Sequence, residues 1–310
     1  MNEITSDSPE IWTKKVDILV NLEKYEEAIA ACDKAAEIKP DCDEVWYYRG
    51  QILEKMGQYE EAISSYNRAI RIEPNLYEVW YNQSVLLFQL KQYKEALNSS
   101  VRALKIKPDL YQAWIVQGIS LFSLERHEEA IACYDKAIEI KPDNCEAWYN
   151  RSVSLFSLER YEEAITSSET VIELKPDFSA AWNNKGMALE ELNRYEEAIS
   201  SYDRAIELSP NNCEIWNNRG IALEKWGRYD EAIACYDKSI ELQADDNGAW
   251  YNKAFCYPLQ GKSIELVLEN LQKAIEVEPE ECREMAKTNR NFDRIRNDER
   301  FQKLINPKSK

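Results

Sequence analysis

An all-α solenoid of stacked helix-turn-helix repeats is the fold class that this 310-residue sequence predicts, and three periodicities predict it. Tryptophan stands at residues 12, 46, 80, 114, 148, 182, 216 and 250, proline at 40, 74, 108, 142, 176 and 210, and alanine at 28, 62, 96, 130, 164, 198 and 232, all in steps of 34. A fixed period of this length marks an architecture in which every unit leaves an apolar face for its neighbour to cover. With tryptophan as the fourth residue, eight repeats begin near 9, 43, 77, 111, 145, 179, 213 and 247 and run to about 280, after an N-terminal tail of residues 1–8.

Each repeat reads as two helices. In the fifth, "CEAWYNRSVSLFSLERYEEAITSSETVIELKPDF", Trp148, Ser152 and Leu155 share one face at helical spacing. "LERYEEAI" supplies a polar turn and the start of a second amphipathic helix, which must end before Pro176 because the residue preceding a proline is pushed out of the helical region. Asp177 is the expected N-cap of the next repeat. A small residue at the eighth place (Gly50, Ser84, Gly118, Ser152, Gly186, Gly220) and alanine at the twentieth are expected to let paired helices approach closely.

The eighth repeat frays. Ala244 replaces the proline, Gly248 precedes Trp250, and Pro258 is expected to stop or kink the first helix. The closing proline is Pro279, one residue late, so one residue is inserted near "GKSIELV". Residues 281–310 lack the repeat but carry Phe292, Ile295, Phe301 and Leu304 in "NFDRIRNDERFQKLI", the pattern of C-terminal capping helices. A hinge at 258–263 is the alternative reading of the irregular stretch.

Composition narrows the function. The formal net charge of −17 opposes binding to a phosphate backbone and suits a partner with basic groups. The start "MNEITSDSPEIW" has neither the basic nor the apolar region of a signal peptide, and no apolar run is long enough to span a membrane, so the cytoplasm is the expected location. Eight scattered cysteines without a CxxC, and one histidine, predict reduced structural thiols rather than a zinc site or disulfide framework. His127 takes the turn place that tyrosine holds in six other repeats, which makes it a packing residue rather than a base. No phosphate loop, GxSxG or other catalytic constellation is present, so no enzyme, cofactor or metal is expected.

The spacing of Trp46, Gly50, Tyr59, Ala62, Ala69 and Pro74, recurring in phase, resembles the tetratricopeptide repeat, or TPR. The resemblance implies a right-handed superhelix whose concave groove is lined by the first helix of each repeat, and a role in protein–protein interaction. One departure is the seventh place, where the family often has leucine. Here it holds Lys15, Arg49, Gln83, Gln117, Arg151, Lys185, Arg219 and Lys253, whose stems are expected to cover the neighbouring helix. The lysine and asparagine clamp by which chaperone co-factors of this family hold a C-terminal carboxylate is missing, since the ninth place carries Asp17, Gln51, Val85, Ile119, Val153, Met187, Ile221 and Phe255.

At about 100° per residue, places 2, 5, 6, 9, 12 and 13 fall within about 120° of one another, opposite the tryptophan face. The resemblance makes this stripe the groove. Asparagine occupies its sixth place in Asn82, Asn150, Asn184, Asn218 and Asn252, either as a ladder that pairs with a peptide backbone or as solvated family consensus. Phe88, Phe122 and Phe156 share the twelfth place of repeats three to five, where other repeats have Val20, Glu54, Glu190 and Glu224. With Tyr81, Val85, Ile115, Ile119, Tyr149 and Val153 they predict an apolar patch flanked on both sides by acidic residues. The expectation is a non-enzymatic adaptor holding a protein or peptide segment with an apolar anchor and basic residues. The alternative is a self-associating structural protein that uses the same patch or the C-terminal segment.

Overall fold

The computed structural model describes residues 9–307, so the expected tail of residues 1–8 and the last three residues lie outside the described residues. Among the described residues all regular structure is helical. The first helices of the repeats are α1 (Pro9–Asn21), α3 (Asp43–Lys55), α5 (Tyr77–Gln89), α7 (Tyr111–Ser123), α9 (Cys145–Ser157), α11 (Ser179–Glu191), α13 (Cys213–Lys225) and α15 (Asn247–Leu259). The second helices are α2 (Tyr25–Ile38), α4 (Tyr59–Ile72), α6 (Tyr93–Ile106), α8 (His127–Ile140), α10 (Tyr161–Leu174), α12 (Tyr195–Leu208), α14 (Tyr229–Leu242) and α16 (Ile264–Val277). The chain divides into two compact bodies, Met1–Leu158 and Glu159–Lys310. In each body a first helix packs on its own second helix and on the next first helix, as α5 does on α6 and α7, and α11 on α12 and α13.

The turn inside a repeat is made by one left-handed residue at the fifteenth place. Glu23, Lys91, Glu125, Glu159 and Asn193 take it with φ of 57 to 61°, and Gly57, Gly227 and Gly261 with 66 to 83°. The next amide then reaches back into the helix, as Gln58 N–H does to the Leu53 carbonyl at 2.8 Å, which closes the helix end. Between repeats the period has a hydrogen-bonded cause. The Trp46, Trp80, Trp114, Trp148, Trp182 and Trp216 indoles each donate to the carbonyl of the proline six residues earlier, at 2.8 to 3.1 Å. Trp250 does the same to Ala244 at 3.0 Å, because the acceptor is backbone and any residue supplies it.

Six seventh-place side chains tie their repeat to the one before. Arg49–Asp33, Arg151–Asp135, Lys185–Glu169, Arg219–Asp203 and Lys253–Asp237 pair at 2.6 to 2.9 Å. Where the acid is replaced by Asn67, the base is replaced by Gln83, and the two amides bond at 2.9 Å. Arg49, Arg151, Lys185 and Lys253 also lie over the fourth-place indole of their own helix, where cover of the neighbouring helix was expected, and the charges find a partner. Half-exposed pairs of this kind contribute about 0–1 kcal/mol each, which makes them a matter of register more than of stability.

Three expectations need correction. Asp177 does not cap α11: the N-cap is Phe178, which makes no side-chain cap bond. Capping falls one residue later in the repeat, where Asn144, Asn212 and Asp246 accept from backbone amides of α9, α13 and α15. Pro258 neither stops nor shortens α15, which has the same thirteen residues as α13. It is the second-last residue, at a point where the turn ends the helix anyway. Finally, the eighth-place glycines do not bring backbones together. A Cβ on Gly50, Gly118, Gly186 or Gly220 would stand 2.3 to 2.7 Å from a ring carbon of Tyr66, Tyr134, Tyr202 or Tyr236, so the missing side chain makes room for a tyrosine of the second helix.

The end of the chain is a packed cap. α17 (Pro279–Thr288), a 3-10 turn at Arg290–Phe292 and α18 (Glu299–Ile305) cover α15 and α16. Phe292 and Phe301 are fully buried, Ile305 joins them, and Ile295 and Leu304 pack at the margin.

Candidate partner-binding face

In the first body the aromatic stripe lies on α5, α7 and α9, of which α7 touches both neighbours. Tyr81, Val85, Phe88, Ile119, Phe122, Tyr149, Asn150, Val153 and Phe156 are all half-buried, so each keeps part of its surface open. Ile115 is only 3% exposed and backs the stripe rather than forming it. Two of the phenylalanines lean on the second helix of their own repeat, Phe88 with its ring 5.5 Å from that of Tyr93, and Phe122 4.9 Å from His127. The ring of Phe122 also packs beside Leu121, Ala130, Cys133 and Tyr134. His127 thus serves packing, as its place in the repeat implies.

Asn82, Asn184, Asn218 and Asn252 bond within the protein. Asn82 donates to the Tyr47 hydroxyl at 3.2 Å, Asn218 to Asn183 at 3.2 Å and Asn252 to Asn217 at 3.4 Å, each reaching the fifth place of the preceding repeat. Asn184 is 6% exposed and its amide meets the Ser168 hydroxyl at 3.4 Å. A row of free amides is therefore not what the packing produces: sixth-place asparagines bind neighbouring repeats because consecutive first helices bring those places together. Asn289 of the cap repeats the device, donating to the hydroxyl of Tyr251 at 3.2 Å.

The acidic flank also changes on inspection. Glu190 is 6% exposed, accepts from the Tyr202 hydroxyl at 3.0 Å and pairs with Lys225 at 2.9 Å. Glu224 accepts from Tyr236 at 2.9 Å and from the Cys256 thiol at 3.8 Å. Burial raises the pKa of Glu190 and pushes that of Glu224 up to about 7, against the pull of these bonds. These two carboxylates face inward because a tyrosine hydroxyl behind them needs an acceptor, so they do not form an anionic rim. Glu54 makes the same bond to Tyr66 at 2.9 Å.

A hollow of about 400 Å³ opens on the same stripe nearer the N-terminus, on α1, α3 and α5. Val20, Tyr48 and Ile52 line it, with Asp17, Glu54 and Asn82; Gln51 and Lys55 complete the wall. Only Asn82 among these was a sequence-based candidate. The signal was available: Val20 and Tyr48 are the places where repeats one and two depart from the pattern. Among the described residues no helix is long and apolar enough to cross a membrane, and no three of His, Cys, Asp or Glu stand together as metal ligands.

Family models described as tetratricopeptide repeat match residues 44–76, 179–212 and 213–246, and also 77–110 and 146–178. Another, described as TPR repeat, matches 17–57 and 118–158. Among solved structures, the chain is similar to YrrB, described as a TPR protein with an unusual peptide-binding site, at 23% identity and a TM-score of 0.52 over 61% of this chain and 97% of that one. A tetratricopeptide repeat protein from Parabacteroides merdae ATCC 43184 aligns at 16% identity and 0.59, over 79% and 97%. The APC/C hetero-tetramer Cut9–Hcn1 aligns at 18% identity and 0.60, over 93% of this chain and 57% of that one. No curated protein gives a significant match.

Proposed function

The chain belongs to the tetratricopeptide-repeat family, a protein-interaction scaffold, and from that premise we propose that it is a non-enzymatic adaptor whose first-helix face holds a segment of a partner protein. The observation that carries the reading is the row of half-exposed Phe88, Phe122 and Phe156 at one place of three successive repeats, where the other repeats do without phenylalanine. Aromatic side chains anchored on one edge and open on the other make efficient contact points. The peptide-binding site ascribed to YrrB supports the same class of ligand here. An apolar residue of the partner would sit near Phe122, and basic residues would suit a chain of net charge −17. Six of the cysteines are buried, which suits thiols in a reducing compartment, and we place the protein in the cytoplasm.

Self-association remains a second reading only through the phenylalanine stripe, because the cap's own anchors are consumed within the fold. Affinity capture from a lysate of the source organism tests the proposal, with the native chain compared against the double variant Phe122→Glu, Phe156→Glu. Proteins retained by the native chain and lost with the variant are the expected result. The same partners on both baits would overturn it. A mass that rises with concentration, and stops rising in the variant, would transfer the stripe to self-association.

A further inference from the structure

Repeats in one chain that copy each other closely make their exceptions informative, and two exceptions meet at the hollow on α1 and α3. The twelfth place of repeat one is Val20, short beside the phenylalanine or glutamate of repeats two to seven, and the sixth place of repeat two is Tyr48 instead of asparagine. Together they leave the hollow of about 400 Å³ with an apolar floor of Val20 and Ile52 and the half-buried ring of Tyr48 as a wall. The Tyr47 ring stands 6.1 Å from that of Tyr48 and 6.1 Å from that of Tyr66, so the wall has aromatic neighbours.

Two carboxylates look onto this space. Asp17 is exposed and has no hydrogen bond or ion pair among the described residues. Glu54 spends one oxygen, Oε2, on the Tyr66 hydroxyl. Burial raises the Tyr48 phenol, and the charges of Asp17 and Glu44 raise it further. Against these acids the lining offers one amine, Lys55, at the exposed end of α3.

An apolar floor, an aromatic wall and carboxylates at the mouth complement a long cationic side chain: methylenes on the floor, the cation over the ring, charge-assisted hydrogen bonds at the mouth. A planar guanidinium suits two separated carboxylates and a ring face better than an ammonium does. We propose that this hollow receives an arginine side chain of the partner segment held on the phenylalanine stripe. The inference rests on the adaptor reading and adds the chemistry that selects the partner.

Selection of a random dodecapeptide library on the full chain tests both readings and separates them. Recovered peptides should carry an arginine at a fixed distance from an apolar residue, and replacing that arginine by alanine or by neutral citrulline should weaken binding about tenfold, the value of one charge-assisted contact. The Asp17→Asn, Glu54→Gln double variant should bind the parent peptide about tenfold more weakly and no longer distinguish arginine from alanine. Glutamine keeps the acceptor for Tyr66, and Asp17→Asn alone, at an exposed position, repeats the measurement if the double variant folds poorly. Peptides that bind without arginine, or an arginine preference untouched by the variants, would overturn the inference while leaving the adaptor reading intact so long as Phe122→Glu still abolishes binding. Failure of every peptide to bind the native chain would remove both.

Discussion

The twelfth place of the repeat holds phenylalanine in repeats three to five and glutamate in repeats two, six and seven, and the two kinds of repeat use the same helix position in opposite ways. Glu54, Glu190 and Glu224 accept from the buried phenols of Tyr66, Tyr202 and Tyr236. Phe88 and Phe122 turn along the surface and stay half open. The deciding residue is not at the twelfth place. Gly50, Gly186 and Gly220 admit a tyrosine from the second helix, and a buried phenol needs an acceptor. Repeat three has Ser84 and Ser100 instead, each bonded to its own helix, so no phenol arrives and the twelfth place is free for an apolar residue. Repeat four mixes the two, with Gly118 and Tyr134 but Phe122. In repeats two, three, six and seven the core pair and the twelfth place thus go together, and repeat four shows that they are separable.

Forcing the core pair apart should give the largest effect. Gly118→Ser puts a Cβ 2.4 Å from the Tyr134 ring, and should cost about 3 kcal/mol in urea unfolding, the upper end for overpacking. Adding Tyr134→Ser reproduces the pair of repeat three and should recover at least about 1 kcal/mol; strict additivity would show that the two places are uncoupled.

The inward glutamates should make stability depend on pH. The Glu224 carboxyl is raised from 4.5 to about 7 by burial, so the folded state holds its proton more tightly than the unfolded state. The sign follows: this contribution is fully present below about pH 4.5 and is lost as pH rises to about 7, amounting to about 2–3 kcal/mol. Urea midpoints measured from pH 4.5 to 7.5 should fall less steeply in Glu224→Gln than in the native protein. Equal slopes would mean that the carboxyl is already ionised in the fold at low pH.

The smallest effect is the sharpest test. Phe122→Glu in repeat four gives Tyr134 the glutamate acceptor that Tyr66, Tyr202 and Tyr236 have in repeats two, six and seven, so the bond should offset the lost apolar contact and leave stability within about 1 kcal/mol of native. Phe88→Glu in repeat three faces Ser100 and gains no phenol, so it should cost about 1 kcal/mol more. Equal costs would separate the twelfth place from the core pair.

Much of this was legible in the amino-acid order. The tryptophan and proline series is visible because a single indole-to-carbonyl bond six residues long recurs in every repeat from the second onward. The phenylalanine stripe was legible because the wheel separates it from the tryptophan face. The partners of the asparagines were not legible, since an amide looks the same whether it points to solvent or to Tyr47. The glycine–tyrosine–glutamate correlation was present at the eighth, twenty-fourth and twelfth places of repeats two, six and seven, but no single helix displays it. The hollow had a signal in Val20 and Tyr48, two departures that mattered only when placed side by side.

The sequence by itself determined what local geometry decides: two helices per repeat, their length, the left-handed turn between them and the 34-residue step, all set by contacts only a few residues apart along the chain. Only the tertiary structure decided which way the polar side chains face. The pairings that settle it, from Tyr66 with Glu54 to Asn218 with Asn183, join residues 12 to 35 positions apart on different helices. Their direction follows from which buried donor would otherwise lack an acceptor, and only packing shows that.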